Sequence, residues 1–504
     1  MTNARETATF DPTPSRQRMD AVQIGIAPVT PKSATVVAVP VAARGGIGDT
    51  LGVDRKQLKA AGFDVAVGST VVVPGTGGGA AVAVGIGESG KLDVAGLRNA
   101  AAAFARAASS HARLAFSLEG IDSVAPADAA QAVVEGVLLA RYTYDPLRRR
   151  PRGTAVTRLT IVADAGDKQS LTAGAARGKA LAAVTQLARD LANTPHSHLN
   201  ASSFADVAEA IGAERGLEVE VFDKDALVEM GCGGILGVNQ GSAEPPRLVR
   251  LTYRPDGEPS GRLALVGKGI MYDSGGIALK PGDEVHAQMK NDMSGAAAIL
   301  AAMSELAELG CPAQVTGLLC CTDNMPSGTA LALGDVITMR GGTTVEVINT
   351  DAEGRLVMAD GLVLSTEEPN DAIVDIATLT GACMRALGTQ VAGVMGNNED
   401  LVDQIRAAAD STDEPVWQLP LDMRYRKELD STVADLKNLG GANAGAITAA
   451  LFLAEFVGDV PWAHLDIAGT AQSGGDAGWQ TQGCTGFGAR LLAELAVHFS
   501  PPTA

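Results

Sequence analysis

Residues 266–280 have the sequence VGKGIMYDSGGIALK, in which an apolar strand pattern leads into charged residues and glycines. Residues 349–356, NTDAEGRL, combine charge and glycine in the same way. With Asp292, these stretches hold four carboxylates, two lysines and one arginine between segments that are otherwise apolar. Carboxylates at this density repel one another and lose hydration when buried, so another group must compensate their charge. We expect divalent metal ions to do so.

Strands and helices alternate along the chain around these stretches. We predict strands at 217–222, 247–253, 262–268, 314–321, 345–349, 372–377 and 462–467, and helices at 293–309, 355–366, 400–410 and 445–457. This alternation predicts an α/β fold, with a larger domain over 193–504 built on a central, mostly mixed sheet flanked by helices. Ligands of such sheets bind beyond the carboxyl ends of strands, which is where both charged stretches fall.

The N-terminal third predicts a second, smaller α/β domain. Strand and helix patterns alternate over 34–166, and a connecting helix over 167–192 is stopped by the Asn-Thr-Pro sequence at 193–195. Residues 1–33 contain proline, threonine and charges with little periodicity, so we predict a mobile arm there.

Composition limits the classes of partner and location. The net charge is −18, and residues 1–180 carry 21 Lys and Arg against 15 Asp and Glu, whereas the remainder carries 19 against 43. The acidic larger region argues against general nucleic-acid affinity. No apolar run is long enough to cross a bilayer, and the first twenty residues lack the pattern of a secretory signal. The six cysteines lack metal-type spacing, so we expect reduced thiols and a cytoplasmic protein.

The charged residues also have ordinary structural interpretations. Asp351, Glu353 and Arg355 lie at i, i+2 and i+4, so on an extended segment their side chains would share one face. Asp292 alone is typical of a helix N-cap, and Asp273 before Ser-Gly-Gly is typical of a turn. Their oxygens would nevertheless suit Mg²⁺, Mn²⁺ or Zn²⁺.

Lys268 and Lys280 would ordinarily be surface lysines. Lys268 follows an apolar strand, however, where desolvation would lower its pKa, so that the neutral amine could bind a metal or the protonated one polarise a carbonyl. No histidine has metal-ligand spacing. We predict a loop position for His286 and a structural position at a strand end for His464.

Both charged stretches resemble the signature sequences of the leucine aminopeptidase (cytosol aminopeptidase) family of dinuclear metallopeptidases, bacterial type. The octapeptide at 349–356 is highly specific to that family. Further matching segments lie at 188–195, 240–246, 324–330, 377–382, 444–450 and 462–469.

The resemblance implies a role for each charged residue. Asp273 and Glu353 would bridge two metal ions, Lys268 and Asp292 would complete the more loosely held ion, and Asp351 the tighter one. Residues implied in catalysis and substrate binding form a second set. They are Lys280, which would polarise the scissile carbonyl; Arg355, which would hold a bicarbonate acting as general base; and the substrate-binding residues Met289, Asn349, Thr378, Leu379, Gly381, Ala468 and Ala471.

The resemblance also implies partners and assembly. We expect a macro-domain-like N-terminal domain, a catalytic domain over 193–504, two divalent ions per subunit (Mn²⁺ or Zn²⁺, with Mg²⁺ as the alternative), and a homohexamer. The substrates would be peptides with a free N-terminus, cleaved after leucine or another neutral or apolar residue. One departure is that familiar members usually have one residue fewer between Lys280 and Asp292, so the additional residue would lie in a loop over 281–288.

Three alternatives remain open at this stage. A two-metal site could hydrolyse phosphoesters, although such sites usually include histidine or further asparagine ligands. Residues 85–92 fit the spacing of a phosphate-binding loop through Lys91, but Leu92 replaces the hydroxyl residue that holds Mg²⁺. The basic run at 148–152 could contact nucleic-acid phosphates, although such a run is more typical of a solvated loop or a subunit contact. We expect neither a nucleic-acid nor a membrane partner.

Overall fold

The computed structural model describes residues 10–75, 79–150 and 152–503, which divide into two compact units. The first comprises the chain up to Gln186 together with Ser473–Gly483. The second comprises Leu187–Gln472 and the chain from Cys484 onward. Both units are α/β, as the sequence predicts.

The first unit contains a six-stranded sheet in the order β1-β6-β5-β2-β4-β3, in which only β3 runs antiparallel to its neighbour. Alanine-rich helices pack against this sheet, and apolar side chains from both layers form the core. The strands are β1 Gln23–Ala27, β2 Val36–Val41, β3 Thr70–Pro74, β4 Ala80–Gly85, β5 Arg113–Ser117 and β6 Arg158–Val162. The helices are α1 Pro14–Ala21, α2 Arg55–Ala60, α3 Val94–Ala107, α4 Pro126–Ala140 and α5 Lys168–Asn193, within which the division between the units falls.

Two predicted boundaries are wrong. The predicted arm over 1–33 contains α1 and β1, because β1 pairs in parallel with β6 and Met19 and Val22 are buried in the core; residues 1–9 lie outside the described residues. The predicted catalytic domain over 193–504 is interrupted, because Ser473–Gly483 belongs to the first unit, where Trp479 is buried.

The second unit is built on an eight-stranded mixed sheet in the order β15-β14-β17-β13-β9-β10-β8-β7. The four central strands, β17, β13, β9 and β10, are parallel, and antiparallel pairings join the outer strands to them. The strands are β7 Glu218–Phe222, β8 Arg247–Tyr253, β9 Arg262–Asp273, β10 Gln314–Asn324, β13 Ala372–Ala377, β14 Ala392–Gly396, β15 Val416–Gln418 and β17 Trp462–Asp466.

The strand predicted at 345–349 is not part of this sheet. It is replaced by β12 Thr344–Glu346, which pairs with β11 Val336–Thr338 and β16 Leu436–Lys437 in a separate three-stranded sheet. The alternation of apolar residues there predicts a strand but cannot say which sheet it joins. A further pair of two-residue strands is formed by β18 Gln472–Ser473 and β19 Gly483–Cys484.

Helices cover both faces of the large sheet. A Cβ on Gly267 would lie 2.8 Å from Ala296 Cα in α10, whereas a Cβ on Gly361 in α11 would lie 2.8 Å from Val266 Cγ1. Because consecutive strand residues face opposite sides, α10 and α11 lie on opposite faces of β9. The helices are α6 Ala201–Arg215, α7 Lys224–Glu229, α8 Gly233–Asn239, α9 Glu284–Ala287, α10 Ser294–Ser304, α11 Gly354–Thr366, α12 Gly381–Leu387, α13 Glu399–Thr412, α14 Gly445–Ala454 and α15 Ala489–His498.

The central strands end at different heights. The pairing of β9 with β13 stops at Gly267, whereas the pairing of β9 with β10 continues to Asp273. The last six residues of β9, from Lys268, therefore extend past its pairing with β13. This step at the carboxyl edge of the parallel strands is where a ligand is expected. Within the described parts of the chain, we find no helix with the length and apolar character needed to span a membrane.

Candidate metal centre

Three buried carboxylates converge at this step. Asp273 is the last residue of β9, Asp292 follows the short 3-10 helix Met289–Asn291, and Glu353 directly precedes α11. One oxygen of each carboxylate lies within 4.8 Å of the others. All three side chains are buried, so their negative charges require compensation from nearby cations.

Lys268 supplies part of this compensation. Its Nζ lies 2.7 Å from Asp292 Oδ2 and 2.9 Å from Glu353 Oε1, and it donates to the carbonyl oxygen of Thr378 at 3.0 Å. Burial alone would lower the pKa of Lys268, but Asp292, Glu353 and Asp273 together raise it. The prediction of a lowered pKa is therefore wrong for this arrangement of side chains. The surface interpretation is also wrong, because the Lys268 side chain is 3% exposed.

Lys280 connects the three carboxylates to a fourth. Its Nζ lies 2.8 Å from Asp273 Oδ2 and 2.5 Å from Asp351 Oδ1. Asp351 is more exposed than the other three carboxylates and lies outside their group. Burial would lower the pKa of Lys280, but Asp273 and Glu353 raise it overall, so this side chain is a firmly held cation.

The carboxylates have different affinities for protons. Burial raises the pKa of Asp292 to about 8 and that of Asp273 to about 6, and it also raises the pKa of Asp351. Burial would raise the pKa of Glu353 as well, but the two lysine ammonium groups lower it overall. The centre thus contains four carboxylates but only two lysines. Divalent cations would compensate the remaining negative charge.

Asp292 is directed into the centre. Helix α10 begins at Ser294, and its N-cap residue is Met293, so the N-cap interpretation of Asp292 is wrong. Asp292 Oδ1 instead accepts a hydrogen bond of 2.7 Å from Thr378 Oγ1. The additional residue between Lys280 and Asp292 lies in a segment that contains α9, and Asp292 still reaches the other carboxylates.

Asp273 combines a turn with a place in the carboxylate group. Its Oδ1 accepts a hydrogen bond of 2.8 Å from the Gly275 amide, as the turn interpretation predicts. Gly275 has φ of 86°, and a Cβ there would lie 2.9 Å from Asp351 Oδ1. Only glycine meets both requirements. The turn therefore brings Lys280 back towards Asp273 and Asp351.

Asn324 is a residue of the centre that was not among the predicted site residues. It is the last residue of β10 and is in register with Asp273. Its Nδ2 donates to Asp273 Oδ1 at 2.8 Å and to the Thr350 carbonyl at 2.9 Å, and lies 3.4 Å from Glu353 Oε2. The feature of the sequence that could have identified Asn324 is its position just beyond the predicted strand at 314–321, where the matching segment at 324–330 begins.

The extended conformation considered for residues 351–355 is not the one in the structure. Thr350 and Asp351 form a turn, Glu353 has helical backbone angles, and Arg355 lies in the first turn of α11. Arg355 is buried, and its Nε and Nη1 have no hydrogen-bond partner among the described residues. Burial lowers the pKa of Arg355 to about 10. A buried cation with two free donors favours an anionic ligand.

The residues predicted to bind substrate lie on several segments, and two of them, Thr378 and Asn349, are hydrogen-bonded to Asp292 and Asp351 respectively. Asp466 accepts hydrogen bonds from the amides of Leu379 and Ala468, which joins two of these segments. Gly381 is the exposed first residue of α12, and Asn349 Oδ1 accepts from the Asp351 amide. The remaining three are Met289, in the 3-10 helix before Asp292; Thr378, bonded to Asp292; and Ala471, which is buried one turn after β17.

Two histidines have positions that bear on the predictions. His286 lies in α9, so the loop prediction is wrong. His464 is buried within β17, and its Nδ1 lies 2.5 Å from Asp375 Oδ1, a contact of the kind expected for a structural residue. All six cysteines are free and buried.

Among the described residues, neither the sequence at 85–92 nor the basic run at 148–152 forms a recognisable phosphate-binding site. Lys91, in the loop-like sequence at 85–92, forms a salt bridge of 2.9 Å with Glu88, and both side chains are exposed. In the basic run, the Arg152 amide donates to Asp145, and Pro151 lies outside the described residues.

Comparison with known proteins identifies the family. Residues 186–493 match the cytosol aminopeptidase family, catalytic domain, and residues 52–151 match its N-terminal domain. This chain belongs to the cytosol aminopeptidase family. Membership confirms the resemblance seen in the sequence and supports an aminopeptidase function.

Relatives within the cytosol aminopeptidase family match over most of their length. A probable cytosol aminopeptidase of Streptomyces avermitilis is 43% identical over 95% of this chain and 96% of its own. One of Chlorobaculum tepidum is 46% identical over 74% of this chain and 76% of its own. The solved structure "Bottromycin maturation enzyme BotP in complex with Mn" is 38% identical, with a TM-score of 0.85, and covers 92% of this chain and 99% of that one.

Proposed function

We propose that this chain is a metal-dependent aminopeptidase that releases leucine, or another neutral or apolar residue, from the free N-terminus of peptides. The observation that carries the proposal is the group of three buried carboxylates within 4.8 Å of one another, with Lys280 beside it. Family membership gives the reaction class, and the carboxylate group gives a place for the metal.

The side chains present fit divalent cations. Asp273 and Glu353 lie between the two lysines and would be shared by two ions, with Lys268 and Asp292 on one side and Asp351 on the other. Mn²⁺ is favoured by the solved relative that contains it, and an oxygen-rich site would also accept Zn²⁺ or Mg²⁺. Such ions, when bound, acidify a water molecule and stabilise negatively charged oxygen.

Lys268 must change its state in this proposal. In the metal-free protein its ammonium neutralises Asp292 and Glu353, whereas a lysine that binds a metal must give up its proton. Lys268 would therefore release a proton on metal binding, and the two positive charges of a divalent ion would replace the single charge of its ammonium group. The hydrogen bond from the Thr378 hydroxyl would hold Asp292 in position during this exchange.

Lys280 and Arg355 act on the substrate side. Lys280 is partly exposed, unlike Lys268, so its ammonium can donate to the carbonyl oxygen of the peptide bond as negative charge develops there. Arg355 would bind a bicarbonate through its two unpartnered donors, and the bicarbonate would serve as general base.

The substrate would contact the segments that surround the centre. Backbone groups of Leu379 and Gly381 would align the peptide. Asn349, which is hydrogen-bonded to the Asp351 amide, would contact the substrate next to Asp351. The pocket for the first side chain would be lined by Met289, Thr378, Ala468 and Ala471. Leucine preference follows from the apolar or small character of these residues.

We also propose a cytoplasmic homohexamer. Relatives named as cytosol aminopeptidases support the location, and the second unit exposes Trp417, Met423 and Val433, which a subunit interface would cover. Sedimentation analysis would show a species of six chains. A monomer at micromolar concentration would contradict the assembly.

Hydrolysis of leucine p-nitroanilide tests the proposed reaction. The purified protein should lose activity in EDTA and regain it with Mn²⁺ or Zn²⁺, and N-acetyl-leucine p-nitroanilide should not be cleaved. Asp273→Asn should bind less metal and remain inactive after metal is restored. Cleavage of the acetylated substrate, or full activity in EDTA, would contradict the proposal.

A further inference from the structure

Asp466 is a buried carboxylate that none of the proposed catalytic roles uses. It is the last residue of β17, in register with Ala377 at the end of β13. The residue is 0% exposed. It thus lies at the carboxyl edge of two adjacent parallel strands, directly beside the segment that leads from β13 to α12.

Its two oxygens are occupied by groups from both segments. Oδ1 accepts hydrogen bonds from the amides of Leu379 and Thr380, each at 3.3 Å, and from the Ala468 amide at 3.1 Å. Oδ2 accepts from Thr380 Oγ1 at 2.7 Å. One carboxylate therefore fixes the backbone after β13 to the backbone after β17. Ionised acceptors make such bonds stronger than neutral ones.

The segment that Asp466 holds is the one that contacts the metal centre. Thr378, directly before Leu379, donates its hydroxyl to Asp292 Oδ1 at 2.7 Å, and its carbonyl accepts from Lys268 Nζ at 3.0 Å. Thr380 Oγ1 also accepts from the Cys383 amide at 2.9 Å and so caps α12. The position of Thr378 is thus bounded by β13 on one side and by Asp466 on the other.

We propose that Asp466 is a positioning residue, which holds Thr378 against Asp292 and Lys268 and aligns the backbone of Leu379 and Ala468 for the substrate. The proposal rests on the proposed aminopeptidase function for its substrate part, and on the Thr378 contacts alone for its metal part. Groups that orient metal ligands typically contribute between ten- and a hundred-fold to metal affinity or activity.

Asp466→Asn is the main test. The amide keeps an oxygen for the three backbone donors, but its nitrogen cannot accept the Thr380 hydroxyl and the negative charge is lost. We expect Mn²⁺, titrated calorimetrically into EDTA-treated protein, to bind at least about ten-fold more weakly. At saturating Mn²⁺, KM for leucine p-nitroanilide should rise more than kcat falls, because the substrate-binding backbone is displaced while Lys280 is not.

Three further variants keep the test independent of folding. Asp360→Asn is the matched control, because Asp360 is another buried carboxylate that accepts backbone amides, from Ile235 and Arg340, on segments other than those held by Asp466. Thr380→Val removes the hydroxyl that Asp466 accepts, and Thr380→Ser restores it. We expect weaker Mn²⁺ binding in Thr380→Val and recovery in Thr380→Ser, with Asp360→Asn like the unchanged protein.

The outcomes separate this proposal from the proposed function. If the unchanged protein cleaves no aminopeptidase substrate, the proposed function fails, while weaker Mn²⁺ binding by Asp466→Asn and Thr380→Val still supports the positioning role. If both variants bind Mn²⁺ as the unchanged protein does and only their melting temperatures fall, Asp466 is a structural residue and the proposal is overturned. If Asp466→Asn does not fold, the Thr380→Val and Thr380→Ser pair decides.

Discussion

Lys268 and Asp292 form a buried ion pair, with 2.7 Å between Nζ and Oδ2, across the step at the carboxyl edge of the large sheet. Each side chain has its second partner within the centre: Glu353 for the lysine and Thr378 for the aspartate. The pair therefore stabilises the metal-free protein with the same groups that the proposed metal would use. Binding of the proposed metal would replace this ion pair, and the exchange would release a proton.

The stability of the metal-free protein should fall as the pH rises from about 4 to about 8. Burial raises the pKa of Asp292 to about 8 and of Asp273 to about 6, from 3.8, so between these values the folded state holds protons that the unfolded state has released. The free energy of unfolding decreases with pH wherever the folded state binds more protons. The raised pKa values of Lys268 and Lys280 favour folding throughout this range, because it lies below their ordinary value.

Urea unfolding of EDTA-treated protein at a series of pH values measures this dependence. Asp292→Asn should flatten it, since the amide does not titrate. A stability of the EDTA-treated protein that rises steadily from pH 5 to pH 8 would contradict the raised pKa of Asp292.

Lys280→Ala should reduce kcat by about 100-fold, because one preorganised donor to the developing oxyanion is lost. Its Nζ contacts Asp273 and Asp351, but Lys280 is not one of the residues proposed to hold the metal. The metal content should therefore stay near that of the unchanged protein. Steady-state kinetics and metal analysis by mass spectrometry are the measurements. Lys437→Ala, a change of a partly buried lysine in β16, is the control. Loss of bound metal in Lys280→Ala would show that the lysine holds the centre together rather than acting on substrate.

Asn324→Ala should lower kcat/KM by between about 10- and 100-fold, as expected for a group that orients metal ligands. The variant loses the donor to Asp273 Oδ1 and to the Thr350 carbonyl. Mn²⁺ affinity of the stripped protein is the second measurement. Asn370→Ala, which loses only a bond to the Ser365 carbonyl, is the matched control. Equal kinetics and metal affinity in the two variants would show that Asn324 does not orient the metal-holding carboxylates.

The small Ala471 predicts that the pocket accepts bulky first residues, so phenylalanine p-nitroanilide should be cleaved faster than the alanine substrate. Ala471 is buried, and Ala471→Met would fill space there. We expect this variant to lower kcat/KM for the phenylalanine substrate by about 10-fold relative to the alanine substrate, within the range for such changes in apolar pockets. Equal or poorer cleavage of the phenylalanine substrate by the unchanged protein would contradict the assignment of Ala471 to the pocket.

The sequence predicted the location of the centre because strand ends can be recognised locally. Apolar residues before Lys268 and charge after it place Asp273 at the carboxyl edge of a parallel sheet, and the structure brings Asp292 and Glu353 to the same edge. The i, i+2, i+4 spacing at 351–355 was ambiguous, since it fits one face of a strand and also a turn that leads into a helix. The preceding turn and the start of α11 decided between them.

Features that depend on distant partners could not be predicted. The raised pKa of Lys268 results from three carboxylates on three different elements. Asp466 follows an apolar strand and gives no local sign that its acceptors are taken by amides 86 and 87 residues earlier in the chain. The strand β1 has one neighbour, β6, and its burial is only partial, so its apolar pattern was too weak to recognise.

The division of the first unit between two parts of the chain has a consequence for synthesis. Trp479 belongs to the core of that unit, and Arg106 donates to the carbonyl oxygens of Gly478 and Gln480. On the ribosome these residues emerge only after Leu187–Gln472 has been made. The core of the first unit therefore stays incomplete during synthesis until almost the whole chain has been made. A fragment ending at Gln186 would lack Trp479.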